Sequence, residues 1–126
     1  KSLCIAVTVL TSMTEEKMQE TFMTDASLDN MVMNMAELTG KSGLHGVVCS
    51  AWEAAKVKER CGENFVTVCP GVRPAWSASD DQKRIMTPAE AVKNGADYLV
   101  IGRPITKADD PKKAAMRILE EIEAVL

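Results

Sequence analysis

Two short segments of the chain combine glycine, arginine and proline in an order that suits the binding of an anion. Residues 70–74 read Pro-Gly-Val-Arg-Pro, and residues 102–104 read Gly-Arg-Pro. Glycine lets an oxyanion approach the backbone N–H groups closely, arginine supplies charge and a two-pronged donor, and proline restricts the turn. A lone arginine after a strand is usually a solvated surface charge, so the repetition of the arrangement is what favours an anion site.

Both segments follow directly after a short apolar run that is predicted to be a strand. Four such runs, at residues 3–10, 46–49, 65–68 and 98–101, alternate with helical patterns. This alternation is typical of a parallel sheet covered by helices, so the predicted fold class is α/β with four βα units. A TIM (βα)8 barrel commonly holds a phosphate in the loops after its last two strands, and the two segments would fall there if the four units were the carboxyl-terminal half of such a barrel.

Two helices are predicted between the first three strands. The first follows Ser27 as its N-cap and stops at Gly40, which would take the left-handed conformation. The second spans residues 52–60 and closes on Gly62. Apolar residues at helical spacing predict the packed face of the first helix: Met31, Val32, Met35, Ala36 and Leu38.

Two more helices are predicted on either side of the fourth strand. Thr87 and Glu90 form a capping box around Pro88 at the first helical position, and Gly95 gives the stop. The last helix follows Asp110 as its cap and runs to the chain end. Its buried face is predicted from five apolar residues: Ala115, Ile118, Leu119, Ile122 and Val125.

The connection over residues 75–88 has no secondary-structure signal and is longer than most connections in compact folds. Loops of this kind are often lids over a site. Gln82 lies within it and is a neutral donor that could reach a phosphate when the loop closes.

The composition is that of one globular domain over residues 1–126, with 46% hydrophobic and 26% charged residues. The net charge is −3 and the cations are scattered, which argues against a nucleic-acid partner. No apolar run approaches the roughly 18 residues of a membrane span, and no secretory signal is recognisable. We therefore expect a cytoplasmic protein without a membrane partner.

The four cysteines, Cys4, Cys49, Cys61 and Cys69, are expected to be free, buried thiols. A chain with this much apolar residue does not need disulfides, and three of the four lie in or beside apolar runs. A metal site is not expected, because no two cysteines are at ligand spacing and His45 is the only histidine.

Four stretches of the chain, taken together and in order, resemble the carboxyl-terminal half of the orotidine 5'-phosphate decarboxylase family. They read AVTVLTSM, GVVCSAWE, VCPGVRP and DDQKRIMTPAEAVKNGADYLVIGRPIT, at residues 6–13, 46–53, 68–74 and 80–106. The resemblance extends over essentially the whole chain. It implies decarboxylation of orotidine 5'-phosphate to UMP in pyrimidine biosynthesis, without a cofactor and with a carbanion-like centre protonated by lysine.

The resemblance also implies where the substrate would lie. It places Thr11 at the pyrimidine and ribose end, with Ser12 lining the pocket beside the base. Four further residues would form the phosphate site: Arg73, Gln82, Gly102 and Arg103. In the family the loop that contains the glutamine closes over the ligand, so that phosphate binding energy assembles a water-poor site.

The chain departs from the family pattern at two positions of this region. Cys69 stands where the family more usually has threonine, and His45 stands where it more usually has aspartate. A thiol at Cys69 would lie near the mouth of the site and could make it sensitive to oxidation.

No catalytic residue can be nominated in this chain. The family carries its catalytic lysine and aspartates as Asp-x-Lys-x-x-Asp at a strand end in the amino-terminal half. Asp81 and Lys83 are followed by Met86 at the last position of that pattern, whereas Asp110 and Lys112 are followed by Ala115.

The length of the chain also indicates that the catalytic residues lie elsewhere, because a (βα)8 barrel takes about 250 residues and this chain has 126. Four strands would form an open half-barrel whose apolar inner face needs a cover, either the amino-terminal half or a second copy in a homodimer. The chain begins with lysine, so it is processed or part of something longer. Two alternatives remain: a self-associating, non-catalytic nucleotide-binding half-barrel, or another phosphate-binding decarboxylase of the same superfamily, such as one acting on a sugar phosphate.

Overall fold

The computed structural model describes residues 1–77 and 85–126 and contains one parallel four-stranded sheet. The strands pair in chain order, β1-β2-β3-β4. They are β1 (Ile5–Val7), β2 (Gly46–Val48), β3 (Val66–Cys69) and β4 (Tyr98–Leu99). The predicted α/β class and parallel sheet are confirmed. Three of the four strands are shorter than the apolar runs that predicted them.

Six helices are found in the described ranges, two more than the sequence patterns indicated. They are α1 (Glu15–Phe22), α2 (Leu28–Lys41), α3 (Ala54–Cys61), α4 (Pro88–Lys93), α5 (Arg103–Thr106) and α6 (Pro111–Glu123). The two that were missed are α1 and α5. Only Met18 is buried in α1, so that helix has almost no apolar periodicity, and α5 is a single turn.

Three helices, α2, α4 and α6, begin at the N-caps that the sequence predicted. The Ser27 hydroxyl accepts a hydrogen bond from the Asn30 N–H (3.1 Å), and an Asp110 carboxylate oxygen accepts one from the Lys113 N–H (3.1 Å). Thr87 and Glu90 form the complete capping box of α4.

The predicted stop at Gly40 is wrong. The helix α2 continues through this residue to Lys41, and the left-handed conformation occurs instead at Gly43, with φ of 85°. At the other two predicted stops the glycines do have positive φ, 104° at Gly62 and 95° at Gly95. A glycine near a helix end predicts that the helix closes, but does not identify the residue at which it closes.

Helices cover one face of the sheet and build the core there. Val47 of β2 and Thr67 of β3 are fully buried on this face. The helices α2 and α3 pack over them through four fully buried residues: Val32, Ala36, Ala54 and Val57. Leu38, which was predicted to belong to the packed face of α2, is instead 55% exposed.

The packed face of α6 is narrower than predicted. Ala114 and Ile118, four residues apart, are buried, whereas Leu119 is 50% exposed. Successive residues on a helix lie about 100° apart, so Leu119 points away from the stripe that packs. The start of α4 is tied to α6 by the Ala89 N–H, which donates to a Glu121 carboxylate oxygen (2.9 Å).

The opposite face of the sheet is open. The strand register places Val7, Val48, Val68 and Tyr98 in one row across all four strands, and we call this row the open face. Neighbouring residues along a strand point to opposite sides, so the row faces away from the helices. Val7 is 61% exposed and Tyr98 is 55% exposed, while the two central valines are partly buried.

Candidate functional site

The loops that follow the four strands all leave the sheet at its carboxyl edge, where the carboxyl ends of the strands lie side by side. The strands are parallel and in register, so residues that follow Val7, Val48, Cys69 and Leu99 emerge on the same side. This carboxyl edge is where α/β folds place their binding residues.

Arg73 is held firmly at the end of β3. Its N–H donates to the carbonyl of Met86 (2.9 Å), and Val72 beside it forms an isolated parallel bridge with the same residue. Gly71 turns the chain ahead of this bridge with φ of 71°, a conformation that favours glycine. Arg73 is only 6% exposed, so its guanidinium is presented from a fixed and largely buried position.

Arg103 lies at the end of β4, where the Gly-Arg-Pro segment begins the short helix α5. Gly102 is the N-cap, and its carbonyl accepts hydrogen bonds from the N–H groups of Ile105 (2.9 Å) and Thr106 (3.0 Å). Pro104 is buried in the first turn. Gly102 has an ordinary negative φ, and an added Cβ would meet nothing within 4 Å, so its predicted role in admitting an anion stays a prediction.

The structure brings Arg73 and Arg103 together in one cavity of about 640 Å³. Among the described residues, five cationic side chains and two carboxylates line it: Arg73, Arg103, Lys107, Lys113, Arg117, Asp109 and Asp110. The cavity is thus positively charged although the whole chain carries a net charge of −3. A concave surface with an excess of one charge concentrates ligands of the opposite charge, so the cavity suits an anion.

Three of the predicted site residues, Thr11, Ser12 and Gly102, are not among the described residues that line this cavity. Thr11 is buried (6% exposed) and Ser12 is exposed, and both follow β1. β1 and β4 are the two outer strands of the sheet, so these two strands are separated by three strand spacings, roughly 14 Å. Gln82 lies outside the described residues.

Several residues at the site carried no predicted role. Trp76 lines the cavity, and the Arg117 guanidinium lies over its ring, 4.8 Å from the centroid. At the end of β2, Ser50 and Glu53 are buried (0% and 2% exposed), and the Ser50 N–H donates to a Glu53 carboxylate oxygen (2.9 Å). The position of Ser50 directly after a strand could have identified it, whereas nothing in the sequence pairs Arg117 with Trp76.

The four cysteines are free, but only two are buried as predicted. Cys49 and Cys69 are fully buried, Cys61 is intermediate and Cys4 is exposed. Burial, together with the Glu37 carboxylate, raises the pKa of the Cys61 thiol. Within the described residues no group of three or more histidine, cysteine or acidic side chains could hold a metal ion. No helix there is long and apolar enough to cross a membrane.

Comparison with known proteins identifies the family. A sequence profile described as "Orotidine 5'-phosphate decarboxylase / HUMPS family" matches residues 1–118. The orotidine 5'-phosphate decarboxylase of Geotalea daltonii is 54% identical over 120 residues, which are 95% of this chain and 50% of that relative. The relative of the same name from Geobacter sulfurreducens is 52% identical, with the same coverage. The chain therefore spans about half the length of these curated relatives.

Solved structures agree with the sequence comparison. The crystal structure of orotidine 5'-phosphate decarboxylase from Lactobacillus acidophilus matches with a TM-score of 0.77 at 36% identity, covering 94% of this chain and 48% of that one. An uncharacterized conserved protein from Geobacillus kaustophilus matches with a TM-score of 0.75 at 41% identity, covering 95% and 48%. The four βα units are thus half of a TIM barrel, as predicted. The chain belongs to the orotidine 5'-phosphate decarboxylase / HUMPS family.

Proposed function

We propose that this chain is the phosphate-binding, carboxyl-terminal half of an enzyme that decarboxylates orotidine 5'-phosphate to UMP in pyrimidine biosynthesis in the cytoplasm. The observation that carries the proposal is the cationic cavity, in which Arg73 and Arg103 from neighbouring strand ends lie together. Family membership supports the reaction, and the cavity provides a place for the anionic group that the substrate and the product share.

The phosphate would lie between the two arginines, and the nucleoside would extend along the carboxyl edge of the sheet. Thr11 and Ser12, at the far end of that edge, would contact the ribose and the pyrimidine. Gln82 would complete the phosphate contacts. Two guanidinium groups in fixed positions hold a phosphate by paired, charge-assisted hydrogen bonds, so the substrate would be aligned by the group that does not react.

The proposal assigns carbon–carbon bond cleavage to residues outside this chain. The Asp-x-Lys-x-x-Asp pattern expected of the family does not occur in the sequence. We therefore propose that an amino-terminal half completes the barrel, covers the open face and supplies the lysine, without any cofactor or metal. The exposure of Val7 and Tyr98 on the open face supports a missing cover.

Completion by a relative provides the test. The amino-terminal half of the Geotalea daltonii relative is produced separately and mixed with this chain, and release of CO2 from orotidine 5'-phosphate is measured. We expect turnover by the mixture only. Arg73→Ala or Arg103→Ala should raise KM by about 30-fold or more, because each removes charge-assisted hydrogen bonds to the phosphate.

Arg60→Ala is the matched control for the two arginine variants. Arg60 forms an ion pair with Glu37 and lies on α3, away from the cavity. Its replacement should leave KM unchanged. Family-like turnover by this chain alone would contradict the assignment of the lysine to another half, and an unchanged KM in Arg103→Ala would contradict the phosphate site.

The open face favours a second candidate, a non-catalytic half-barrel that pairs with its own copy and binds nucleotides. This candidate predicts that the pure chain binds UMP as a dimer and that the added amino-terminal half neither joins it nor restores turnover. The mixing experiment therefore separates the two functions.

A further inference from the structure

We infer that Trp52 is a positioning residue that holds Arg73 in place from the neighbouring strand end. The inference rests on the proposed function, in which Arg73 binds the substrate phosphate. Trp52 follows β2, whereas Arg73 follows β3, and the two are linked through the backbone of Ile85 and Met86.

The first link is the hydrogen bond from the Trp52 indole. Its Nε1–H donates to the carbonyl oxygen of Ile85 over 2.8 Å. The turn that presents the indole is itself held by buried groups, since the Ser50 N–H donates to Glu53 and the Trp52 N–H donates to the Ser50 hydroxyl (3.2 Å). The donor is therefore fixed to the end of β2.

The second link is the pairing of the next residue, Met86, with the end of β3. The Met86 carbonyl accepts the Arg73 N–H (2.9 Å), and Met86 forms the bridge with Val72. Val72 and Met86 are 2% and 9% exposed, so this bridge is packed on the core. A shift of the Ile85 carbonyl would move the adjacent peptide and, with it, the backbone of Arg73.

Packing among the described residues gives little reason for a tryptophan at this position. Trp52 is 58% exposed, so more than half of its surface contributes nothing to the core. The described contact that uses its particular chemistry is the indole hydrogen bond. The function of Trp52 therefore lies in the donor, whose loss should affect phosphate binding more than it affects folding.

Two substitutions separate the donor from the ring. Trp52→Phe keeps an aromatic ring without the N–H, whereas Trp52→Gln keeps a side-chain N–H donor without the ring. The full 126-residue chain, completed as above, is titrated with UMP and with uridine. We expect Trp52→Phe to raise the Kd for UMP by about 3- to 10-fold, the range of one hydrogen bond, and to leave uridine binding unchanged.

Asn94→Ala provides the matched control. The Asn94 side-chain amide donates to the Ala51 carbonyl (2.6 Å), so it steadies the same turn without touching Ile85. We expect this variant, and Trp52→Gln, to bind UMP about as tightly as the unaltered protein does. Thermal unfolding of all the variants shows whether a change in affinity merely follows a change in stability.

The outcomes distinguish the positioning role of Trp52 from the phosphate site itself. Trp52→Phe binding UMP as tightly as the unaltered protein, while Arg73→Ala binds it weakly, would overturn the positioning role alone. An equal loss in Trp52→Phe, Trp52→Gln and Asn94→Ala would also overturn it, because the turn rather than the donor would then matter. Unchanged UMP binding by Arg73→Ala would instead overturn the proposed phosphate site.

Discussion

Asp97 gathers hydrogen bonds at the amino-terminal end of the sheet, the end away from the cavity. Its carboxylate forms an ion pair with Lys58 of α3 and accepts the Thr67 N–H (2.9 Å). Burial by itself raises the pKa of Asp97, but the hydrogen bonds from Lys58 and Thr67 and the Lys58 charge hold that pKa below its ordinary value. The pair connects β3, β4 and α3 through one carboxylate.

Replacing this carboxylate should destabilise the fold in a pH-dependent way. Asp97→Asn leaves the largely buried Lys58 without its counter-charge, and we expect the free energy of unfolding to fall by about 1 to 3 kcal/mol. The figure is below that of a fully buried pair because the Asp97 side chain is 37% exposed and water screens it.

The pH dependence follows from the lowered pKa. A carboxylate with a depressed pKa in the folded state stabilises the protein above its ordinary pKa of 3.8, and the contribution is lost as the pH falls below that value. Urea unfolding should show the difference between Asp97→Asn and the unaltered chain shrinking in acid. Glu37→Gln, at a more exposed pair, should cost less at neutral pH, and an equal cost would contradict the role given to Asp97.

His45 and Cys4 are joined by two hydrogen bonds just before β1 and β2 begin. The imidazole Nδ1 accepts the Cys4 N–H (2.9 Å), while the His45 N–H donates to the Cys4 carbonyl (2.8 Å). An aspartate carboxylate at this position could accept the same N–H. An aspartate at position 45, as expected of the family, would therefore retain the acceptor beside the pairing of β1 with β2.

At the level of elements, the start of α4 is held by three side-chain hydrogen bonds. The Thr87 hydroxyl accepts the Glu90 N–H (3.3 Å), the Glu90 carboxylate accepts the Thr87 N–H (3.1 Å), and Glu121 of α6 accepts the Ala89 N–H. The hydrogen bonds from Thr87 hold the pKa of Glu90 below its ordinary value. Because α4 follows directly after the residues that brace Arg73, its start also fixes one end of that support.

Removal of the Thr87 cap should lower the stability of the protein by about the contribution of one helix N-cap. Thr87→Ala deletes the hydroxyl acceptor and should lower the free energy of unfolding by about 1 kcal/mol, whereas Thr87→Ser retains the acceptor and should cost far less. Urea unfolding of the two variants measures the difference. Equal losses would show that the threonine methyl group, and not the cap, stabilises α4.

The elements that the sequence predicted are those with local signals. The caps at Ser27, Thr87 and Asp110 depend on groups within three residues, so a sequence pattern is sufficient to identify them. By contrast, the bond from Trp52 to Ile85 joins residues 33 positions apart, and the stacking of Arg117 on Trp76 depends on how α6 packs. Neither contact leaves a pattern along the chain, so the two arginines could be predicted but not the groups that hold or surround them.

At the scale of the whole molecule, the open face is the dominant surface property. Its row of apolar residues crosses all four strands. Val100, two residues after Tyr98 in the chain, is also exposed (51%). A contiguous apolar sheet face of this kind marks an interaction surface. Both edge strands, β1 and β4, also offer unpaired backbone groups.

The chain on its own should therefore self-associate. Sedimentation velocity over a range of concentrations should show species larger than 13.7 kDa, and Val7→Lys should shift them towards the monomer by placing a charge on the open face. Leu38→Lys is the matched control, since Leu38 is similarly exposed (55%) but lies on α2 behind the sheet. A monomer at every concentration, or an equal effect of the two lysines, would contradict the assignment of this face.

The agreement between strand order and chain order bears on how the molecule forms. Each strand pairs with the one synthesised immediately before it, so no strand must wait for a later segment before it finds a neighbour. Pairings between successive units close shorter loops than pairings between distant units would, so the entropic cost of loop closure is lower. These four strands can therefore be added one βα unit at a time as the polypeptide leaves the ribosome, with β4 and the Arg103 segment following β3.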